Sequence, residues 1–361
     1  MRSTLSSACR AVAVCGLLAG TALHGQTFRL LTFGDSITWG AYDTVYNPNF
    51  EMAGYPRRLR GLLNCQPGVC DIYNAGVPGE QTGTAVTRID GVLDSQGPFD
   101  VMLLMEGTND VFSGVSLATI EFNLAQIASK ARNRGVETVH GSIIWFHPDG
   151  RWGTSKDPVV EALRDRVASL AWSNQRQFID IWDELCPASH NDRHGHVHRV
   201  CFDEHYSENC DRVRDCGDNR GHPVGSGYDM MAARWYEGLT AYPPPAKPTL
   251  LSPVGEVAGP EVEFRWTKAN RASWFRLLVE GSSGDVVDVW LETKAVCGST
   301  ACSYTVTDID ADEYSWQVRG RSPAGFGAWS DEAAISLQPG GLFQDGFESG
   351  STSGWSATFQ D

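Results

Sequence analysis

The sequence predicts two regions of different fold class, a doubly wound parallel α/β sheet followed by a smaller β-sandwich. Over about 200 residues, short apolar strands alternate with helices, which is the pattern of a parallel sheet covered by helices. A proline-rich segment at 243–248 then forms a stiff, extended linker. Beyond this linker the hydrophobic period falls to two residues, which is typical of the half-buried strands of a sandwich.

Residues 1–25 have the composition of a secretory signal peptide. Arg2 and Arg10 precede an apolar run at 11–20, and small residues follow it. Because this run is too short to span a bilayer, we expect a soluble protein, secreted to the periplasm or to the extracellular space, with no membrane span. The net charge of −15 argues against nucleic acid or an anionic membrane surface as the main partner.

Ten cysteines, eight of them beyond the predicted signal peptide, indicate an oxidising compartment. Two pairs are each five residues apart around turn-forming residues, and we expect both to be local disulfides: Cys65 with Cys70, and Cys297 with Cys302. The remaining four allow three pairings, among which the sequence does not choose: Cys186, Cys201, Cys210 and Cys216.

The predicted strands of the parallel sheet are short apolar runs that stop at polar or glycine-rich segments. They cover residues 30–33, 71–74, 99–105, 136–145 and 178–182. Helices are predicted between them from apolar residues at three- and four-residue spacing and from capping residues. They cover 54–64 and 116–135, one begins at Asp157-Pro158, and the last follows His222-Pro223.

Residues 186–222 interrupt this alternation. The segment is polar and charged without hydrophobic periodicity, so we expect a long insertion that disulfides hold beside the carboxyl edge of the sheet. Its histidines raise the alternative of a zinc site, but they lack finger-type spacing, which favours a solvated loop. The histidines concerned are His190, His194, His196, His198 and His205.

Three strand ends carry residues that suit attack on a carbonyl group. Ser36 follows the first strand, a glycine-rich turn at 74–79 follows the second, and Asn109 follows the third. Because the carboxyl ends of parallel strands meet at one edge of a sheet, we expect these residues to lie close together. A serine hydroxyl needs a base and donors for the oxyanion, and His222 is the predicted base.

Four segments resemble the sequence blocks of the SGNH (GDSL) hydrolase and esterase family, in order, across about residues 27–242. They are Gly34-Asp35-Ser36, Asn74-Ala75-Gly76-Val77-Pro78-Gly79, Gly107-Thr108-Asn109-Asp110 and His222-Pro223. The resemblance implies a flavodoxin-like three-layer α/β/α fold and ester hydrolysis through an acyl-enzyme, without a metal or another cofactor. It implies Ser36 as nucleophile and His222 as base, with Ser36, Gly79 and Asn109 as oxyanion donors.

The fourth block departs from the family pattern, in which an aspartate precedes the histidine by three residues. Asn219 occupies that position here, and Asp218 stands one residue further away. We expect Asp218 to orient His222, because Gly221 lets the backbone bulge and a carboxylate stabilises the charged imidazole better than an amide does. The alternatives are a backbone carbonyl and Asp203.

Other side chains beside these blocks are expected to have supporting roles. Asp35, Asp110 and Asn74 are predicted to brace the loops that carry the reacting groups. Trp39 and Trp152 lie in loops near the same edge, and we expect them to line the substrate pocket.

The second region has predicted strands at 262–266, 274–279 and 314–319, and it resembles a fibronectin type III domain through its segment Tyr314–Ser330. The predicted organisation is a signal peptide at 1–25, an SGNH hydrolase domain at 27–242, a linker at 243–248, a sandwich at 249–337 and a C-terminal tail at 338–361.

These observations predict a secreted serine esterase. The first block and the helix at 54–59 are similar to bacterial carbohydrate deacetylases, so we expect an acetylated glycan or a small acyl ester as substrate. The sandwich is expected to contact polysaccharide or a cell surface. The alternatives are a short-chain carboxylesterase or lysophospholipase, and a non-catalytic adhesion or glycan-binding protein in which the α/β domain is a relic.

Overall fold

The computed structural model describes residues 27–144, 156–181, 191–192, 196–197, 222–223 and 225–338. The chain divides into two compact units, Met1–Pro245 with Arg321–Gly327, and Ala246–Gly320 with Ala328–Asp361. The predicted signal peptide, the tail beyond residue 338 and most of the insertion at 186–222 lie outside the described residues.

A five-stranded parallel sheet forms the centre of the first unit. Its strands are β1 (Phe28–Gly34), β2 (Cys70–Gly76), β3 (Val101–Met105), β4 (Glu137–Gly141) and β5 (Gln177–Ile179). They lie in the order β2-β1-β3-β4-β5, which is the flavodoxin-like order. β3 and β4 are buried along their whole length, which explains the apolar runs at 99–105 and 136–145. The predicted α/β class is confirmed.

Helices connect these strands, and their apolar stripes face the core. They are α1 (Ser36–Trp39), α2 (Gly54–Leu62), α3 (Thr82–Gln96), α4 (Thr108–Ser113), α5 (Leu117–Arg132), α6 (Asp157–Ser173) and α7 (Gly225–Thr240). Ser116 caps α5 by accepting a hydrogen bond from Thr119 N at 3.2 Å. Ile120, Leu124 and Ile127 of α5 are buried, as their spacing predicts.

α3 is a helix that the sequence pattern does not predict. Its buried face includes Ile89 and Leu93 but also a threonine and an alanine, and glycines at 83 and 91 interrupt the stripe. The predicted fourth strand is longer than β4, because Ser142–Ile144 are buried yet lie outside the ladder. Inside the insertion, two short strands pair antiparallel: β6 (Asn191–Asp192) and β7 (His196–Val197).

Glycines bring the carboxyl ends of β1, β2 and β3 into close contact. Gly34 lies opposite Gly76 of β2 and Met105 of β3. A Cβ atom on Gly34 would lie 2.1 Å from the carbonyl oxygen of Met105, and one on Gly76 would lie 2.1 Å from the backbone nitrogen of Trp39. These contacts exclude any side chain at either position, so the loops after the strands can pack directly against one another.

The second unit is rich in strands, which form one antiparallel sheet and one mixed sheet. The first sheet contains β8 (Leu250–Ser252), β10 (Val262–Thr267) and β13 (Ala301–Val306); the second contains β9 (Gly255–Ala258), β11 (Trp274–Gly281), β12 (Gly284–Glu292), β14 (Glu313–Ser322) and β16 (Ala333–Gln338). β15 (Gly325–Phe326) pairs with the last two residues of β14, and all four residues lie in the segment Arg321–Gly327 that belongs to the first unit. A short helix, α8 (Thr293–Val296), follows β12.

Both sheets of the second unit contribute to one hydrophobic core. Phe264 of β10 packs against Trp316 of β14 with ring centroids 5.0 Å apart, and Trp266 packs against Phe275 at 5.7 Å. Two sheets that share a core are the arrangement expected of a β-sandwich. The likeness to a fibronectin type III domain stays a prediction.

Disulfides close both of the predicted local pairs, Cys65 with Cys70 and Cys297 with Cys302. The other four cysteines beyond the signal peptide lie outside the described residues. No helix in the described part of the chain combines the length and the apolarity that a membrane crossing requires.

Candidate active site

Ser36 is held at the carboxyl edge of the sheet by the single turn of helix α1. Asp35 is the N-cap of this helix, and its Oδ1 accepts a hydrogen bond from the backbone N–H of Ile37 at 2.8 Å. The helix ends at Gly40, whose φ of 95° lies in the left-handed region. The backbone of Ser36 is therefore fixed from both sides.

His222, which lies just before α7, contacts Ser36 although the two residues are 186 positions apart in the sequence. The Oγ atom of Ser36 lies 2.7 Å from Nε2 of His222. Burial lowers the pKa of His222 from its ordinary value of 6.5 to about 4, so the imidazole is neutral at pH 7. A neutral imidazole beside a serine hydroxyl is in the state that can accept the hydroxyl proton.

Nδ1 of His222 is buried and has no hydrogen-bond partner among the described residues. Asp218, Asn219 and Asp203 lie outside the described residues, as does the backbone immediately before His222. Asp218 as the group that orients the imidazole therefore stays a prediction.

Gly79 and Asn109 line the same cavity as Ser36; Gly79 lies in the loop after β2, and Asn109 lies in the first turn of α4, which follows β3. Gly79 has a φ of 77°, which residues with a side chain rarely adopt. Nδ2 of Asn109 donates a hydrogen bond to the carbonyl oxygen of Glu80 at 2.8 Å. Because a carboxamide carries two N–H groups, the second one is available to another acceptor.

Asn74 and Asp110 brace these loops, as the sequence predicts. Nδ2 of Asn74 donates to the carbonyl oxygen of Thr38 at 2.9 Å, and its Oδ1 accepts from Gly76 N at 2.9 Å. Asp110 accepts from the backbone nitrogen of Thr82 at 2.9 Å and from its hydroxyl at 2.6 Å. Asn74 therefore joins β2 to α1, and Asp110 joins α4 to α3.

A cavity of about 740 Å³ opens over Ser36 and is also lined by Gly79, Asn109 and His222. This volume is in the range of small-molecule binding sites. Residues 41–49, named here the cavity wall, line it as well. Trp39 lines the cavity as predicted, whereas Trp152 lies outside the described residues.

A buried ion pair anchors the cavity wall to α2. Nη1 of Arg58 lies 2.5 Å from Oδ2 of Asp43, and Nη2 lies 3.1 Å from Oδ1. Asp43 also accepts hydrogen bonds from Val45 N at 2.9 Å and Gly54 N at 2.8 Å. Burial raises the pKa of Asp43, but these bonds outweigh it and hold the pKa below its ordinary value. Arg58 contacts Asp229 of α7 as well.

A model of the GDSL-like lipase/acylhydrolase family matches residues 32–230 of this sequence. The chain belongs to this family. The matched segment contains Ser36, Gly79, Asn109 and His222, and membership makes the protein a serine ester hydrolase. No curated protein is significantly similar to it.

Solved structures are similar to part of this chain. A member of the lipolytic protein G-D-S-L family from Veillonella parvula is 19% identical; the similarity covers 60% of this chain and 100% of that one, with a TM-score of 0.44. Axe2, an acetylxylan esterase from Geobacillus stearothermophilus, is 18% identical over 58% of this chain and 93% of its own, with a TM-score of 0.44.

Close to Asp35, this GDSL family member buries a further carboxyl group that does not line the cavity. Glu106 is only 2% exposed, and neither of its oxygens has a partner in the described part of the chain. Burial raises its pKa well above the ordinary value of 4.5, and the nearby carboxylates of Asp35, Glu80 and Asp110 raise it further. Burial also raises the pKa of Asp35 to about 6.

Sequence reasoning predicts the serine and the histidine that the structure brings together, but not the residues that shape the cavity of this GDSL esterase. Tyr42 and Asp43 lie outside the four sequence blocks, and a charge pair 15 positions apart, such as Asp43 with Arg58, is unremarkable in a sequence. Asp43 offers one indication of a turn in this segment, because aspartate side chains often accept a hydrogen bond from the N–H two residues later and form an Asx turn. In the structure, Asp43 accepts such a bond from Val45 N.

Proposed function

We propose that this protein is an exported serine esterase that cleaves acetyl groups from carbohydrates through an acyl-enzyme. The observation that carries the proposal is the 2.7 Å contact between Ser36 Oγ and His222 Nε2 in a cavity that Gly79 and Asn109 also line. Nucleophile, base and oxyanion donors around one open space are what acyl transfer to a hydroxyl requires.

In the first step, Oγ of Ser36 attacks the ester carbonyl carbon while Nε2 of His222 takes the hydroxyl proton. The carbonyl oxygen becomes an oxyanion that accepts hydrogen bonds from the N–H groups of Ser36 and Gly79 and from Nδ2 of Asn109. His222 then protonates the departing alcohol oxygen as the ester C–O bond breaks, which leaves Ser36 acylated.

In the second step, water attacks the acyl carbon and gives a proton to His222. The bond between the acyl carbon and Oγ of Ser36 breaks, the proton returns from His222 to Oγ, and the carboxylic acid is released. Asp218 is proposed to hold the Nδ1–H of His222 and to stabilise the imidazolium. No metal or other cofactor takes part in these steps.

The composition of the cavity wall supports a carbohydrate as the alcohol part of the substrate. Tyr42 and Tyr46 offer aromatic rings, and Asn47 and Asn49 offer amide groups to sugar hydroxyls. The competing function is that of a short-chain carboxylesterase or a lysophospholipase.

The second unit is proposed to contact polysaccharide or a cell surface. The bridged Cys65–Cys70 and Cys297–Cys302 pairs support export to an oxidising compartment.

The test compares the purified protein with Ser36→Ala on acetylated xylan and on p-nitrophenyl esters of increasing chain length. We expect acetate release from xylan and turnover of the acetyl ester by the wild type, and none by Ser36→Ala. Activity only on long acyl chains would eliminate the deacetylase. A fluorophosphonate probe should leave an adduct on Ser36, whereas an inert serine in folded protein would support the non-catalytic alternative.

A further inference from the structure

Tyr42 is the wall residue that lies directly against His222. Its ring centroid is 4.9 Å from that of the imidazole, with 48° between the ring planes. The side chain lines the cavity and is 47% exposed, so one part of the ring packs on His222 while another part faces the open space. This contact joins the cavity wall to the base.

The backbone of Tyr42 adopts a costly conformation to make this contact. Its φ of 61° lies in the left-handed region, which is unusual for a bulky aromatic residue. Such conformations persist where the surrounding structure enforces them, and they concentrate at functional sites. A residue without a side chain would relieve the strain, but it would also lose the ring contact.

Both neighbours of Tyr42 are tied to the body of the first unit. The carbonyl oxygen of Ala41 accepts a hydrogen bond from the hydroxyl of Tyr228 in α7 at 2.7 Å. On the other side, Asp43 is locked by its ion pair with Arg58. The ring of Tyr42 is therefore placed by α2 and α7 rather than by its own short loop.

We propose that Tyr42 is a positioning residue for His222, whose ring packing keeps Nε2 directed at Oγ of Ser36 and shields the imidazole from water. The inference rests on the proposed function of His222 as the base. Within the described residues, the Ser36 hydroxyl fixes one end of the imidazole, and Tyr42 contacts its ring.

Shielding by Tyr42 has a measurable consequence for the titration of His222. Burial is what lowers the pKa of His222 to about 4, and the Tyr42 ring supplies part of that burial. The charged groups of the adjoining wall and helices, Asp43, Arg58 and Asp229, are paired through Arg58. Removal of the ring should therefore move the pKa of His222 upward, toward its ordinary value of 6.5.

The experiment compares Tyr42→Gly and Tyr42→Phe with the wild type. Glycine accepts a φ of 61° without strain, so Tyr42→Gly removes the ring while it favours the local fold. Tyr42→Phe keeps both the ring and the strain. Phe50→Leu is the matched control, because Phe50 follows the same segment, is 87% exposed and lies outside the cavity wall.

For each variant, the pKa of His222 is measured by NMR of its ring nitrogens, and kcat and KM are measured on p-nitrophenyl acetate. In Tyr42→Gly we expect the pKa of His222 to rise by about one unit or more and kcat to fall roughly ten-fold or more. KM should change little. Tyr42→Phe should keep the wild-type pKa of His222 and most of kcat. Phe50→Leu should match the wild type in the pKa of His222, kcat and KM.

The outcomes separate this inference from the proposed function. An unchanged pKa of His222 in folded Tyr42→Gly, with kcat preserved, would overturn the inference while esterase activity stands. If the wild type turns over no ester but the pKa of His222 is still higher in Tyr42→Gly, the placement of Tyr42 is supported and the proposed function is overturned. If Tyr42→Gly fails to fold, Tyr42→Leu takes its place with the same two readouts.

Discussion

Nε2 of His222 lies 2.7 Å from Oγ of Ser36, 186 positions earlier in the chain, and burial holds this imidazole in its neutral form. The contact requires the segment before α7, which carries His222, to lie at the carboxyl end of β1, where α1 begins. In the proposed mechanism, the neutral imidazole also determines the pH range in which the serine can lose its proton.

The acid limb of the pH–rate profile should have its midpoint below pH 6.5. Only neutral His222 accepts a proton, and burial lowers its pKa from 6.5 to about 4. The proposed contact with Asp218 opposes this shift, so activity should fall at a midpoint between 4 and 6.5. The measurement is kcat/KM on p-nitrophenyl acetate from pH 3 to 8, with circular dichroism at each pH to confirm folding. A midpoint at 6.5 or above would contradict this prediction.

Replacement of the predicted orienting acid should cost more activity than replacement of its neighbour. A carboxylate stabilises the imidazolium that forms during attack and an amide does not, so Asp218→Asn should lower kcat by about 100-fold or more. Asn219→Ala should have a much smaller effect. The reverse ranking in kcat would transfer the role to another group.

Arg58→Met should destabilise the first unit and weaken catalysis together. The change leaves the buried Asp43 without its cation, which costs about 3 kcal/mol of unfolding free energy when a buried pair is broken from one side. Loss of this anchor also frees the cavity wall, so kcat/KM should fall. Urea unfolding and ester hydrolysis measure the two effects.

Arg166→Met is the matched control for Arg58→Met. Arg166 pairs with Glu121 at 2.6 Å, but both side chains are partly exposed, and exposed pairs contribute little to stability. Equal losses of unfolding free energy in the two variants would show that the pair between Arg58 and Asp43 is not a structural anchor.

Glu106→Gln should stabilise the protein at neutral pH. Folding raises the pKa of Glu106 above its ordinary value of 4.5, so the folded state loses stability as the pH rises above 4.5. Glutamine removes this ionisation, so the gain in unfolding free energy should be larger at pH 7 than at pH 4. We expect it to exceed about 1 kcal/mol at pH 7.

Glu80→Gln serves as the comparison for Glu106→Gln, because Glu80 lies in the same buried group but receives a 2.8 Å hydrogen bond from Nε of Arg88. Its replacement should destabilise the protein. A stability gain for Glu106→Gln that is the same at pH 4 and pH 7 would mean that Glu106 is not the group that titrates.

Much of the first unit can be predicted from its sequence because its strands are buried on both faces. Continuous apolar runs such as Val101–Met105 leave little ambiguity, and their order alternates with capped amphipathic helices. α3 is missed for the opposite reason, because a helix whose stripe mixes threonine, alanine and glycine with two large apolar residues has almost no periodic pattern.

The site divides in the same way. Ser36 and His222 are identifiable as candidates because ester hydrolysis restricts which residue types can act there. Tyr42 is not, because its proposed role depends on the position of its ring relative to one imidazole. Glu106 is not either, since a sequence does not show that both oxygens of a carboxyl group are enclosed.

The contacts of Gly34 with β3 and of Gly76 with α1 limit where this enzyme can change in evolution. A Cβ atom at Gly34 or Gly76 would lie 2.1 Å from neighbouring backbone, so neither position accepts a side chain without displacing the segment that carries Ser36. Diversity in substrate preference is therefore expected to accumulate elsewhere, chiefly in residues 44–49 of the cavity wall. A mutant library that randomises residues 44–49 and spares Tyr42, Asp43 and both glycines should yield new ester selectivities with few inactive clones.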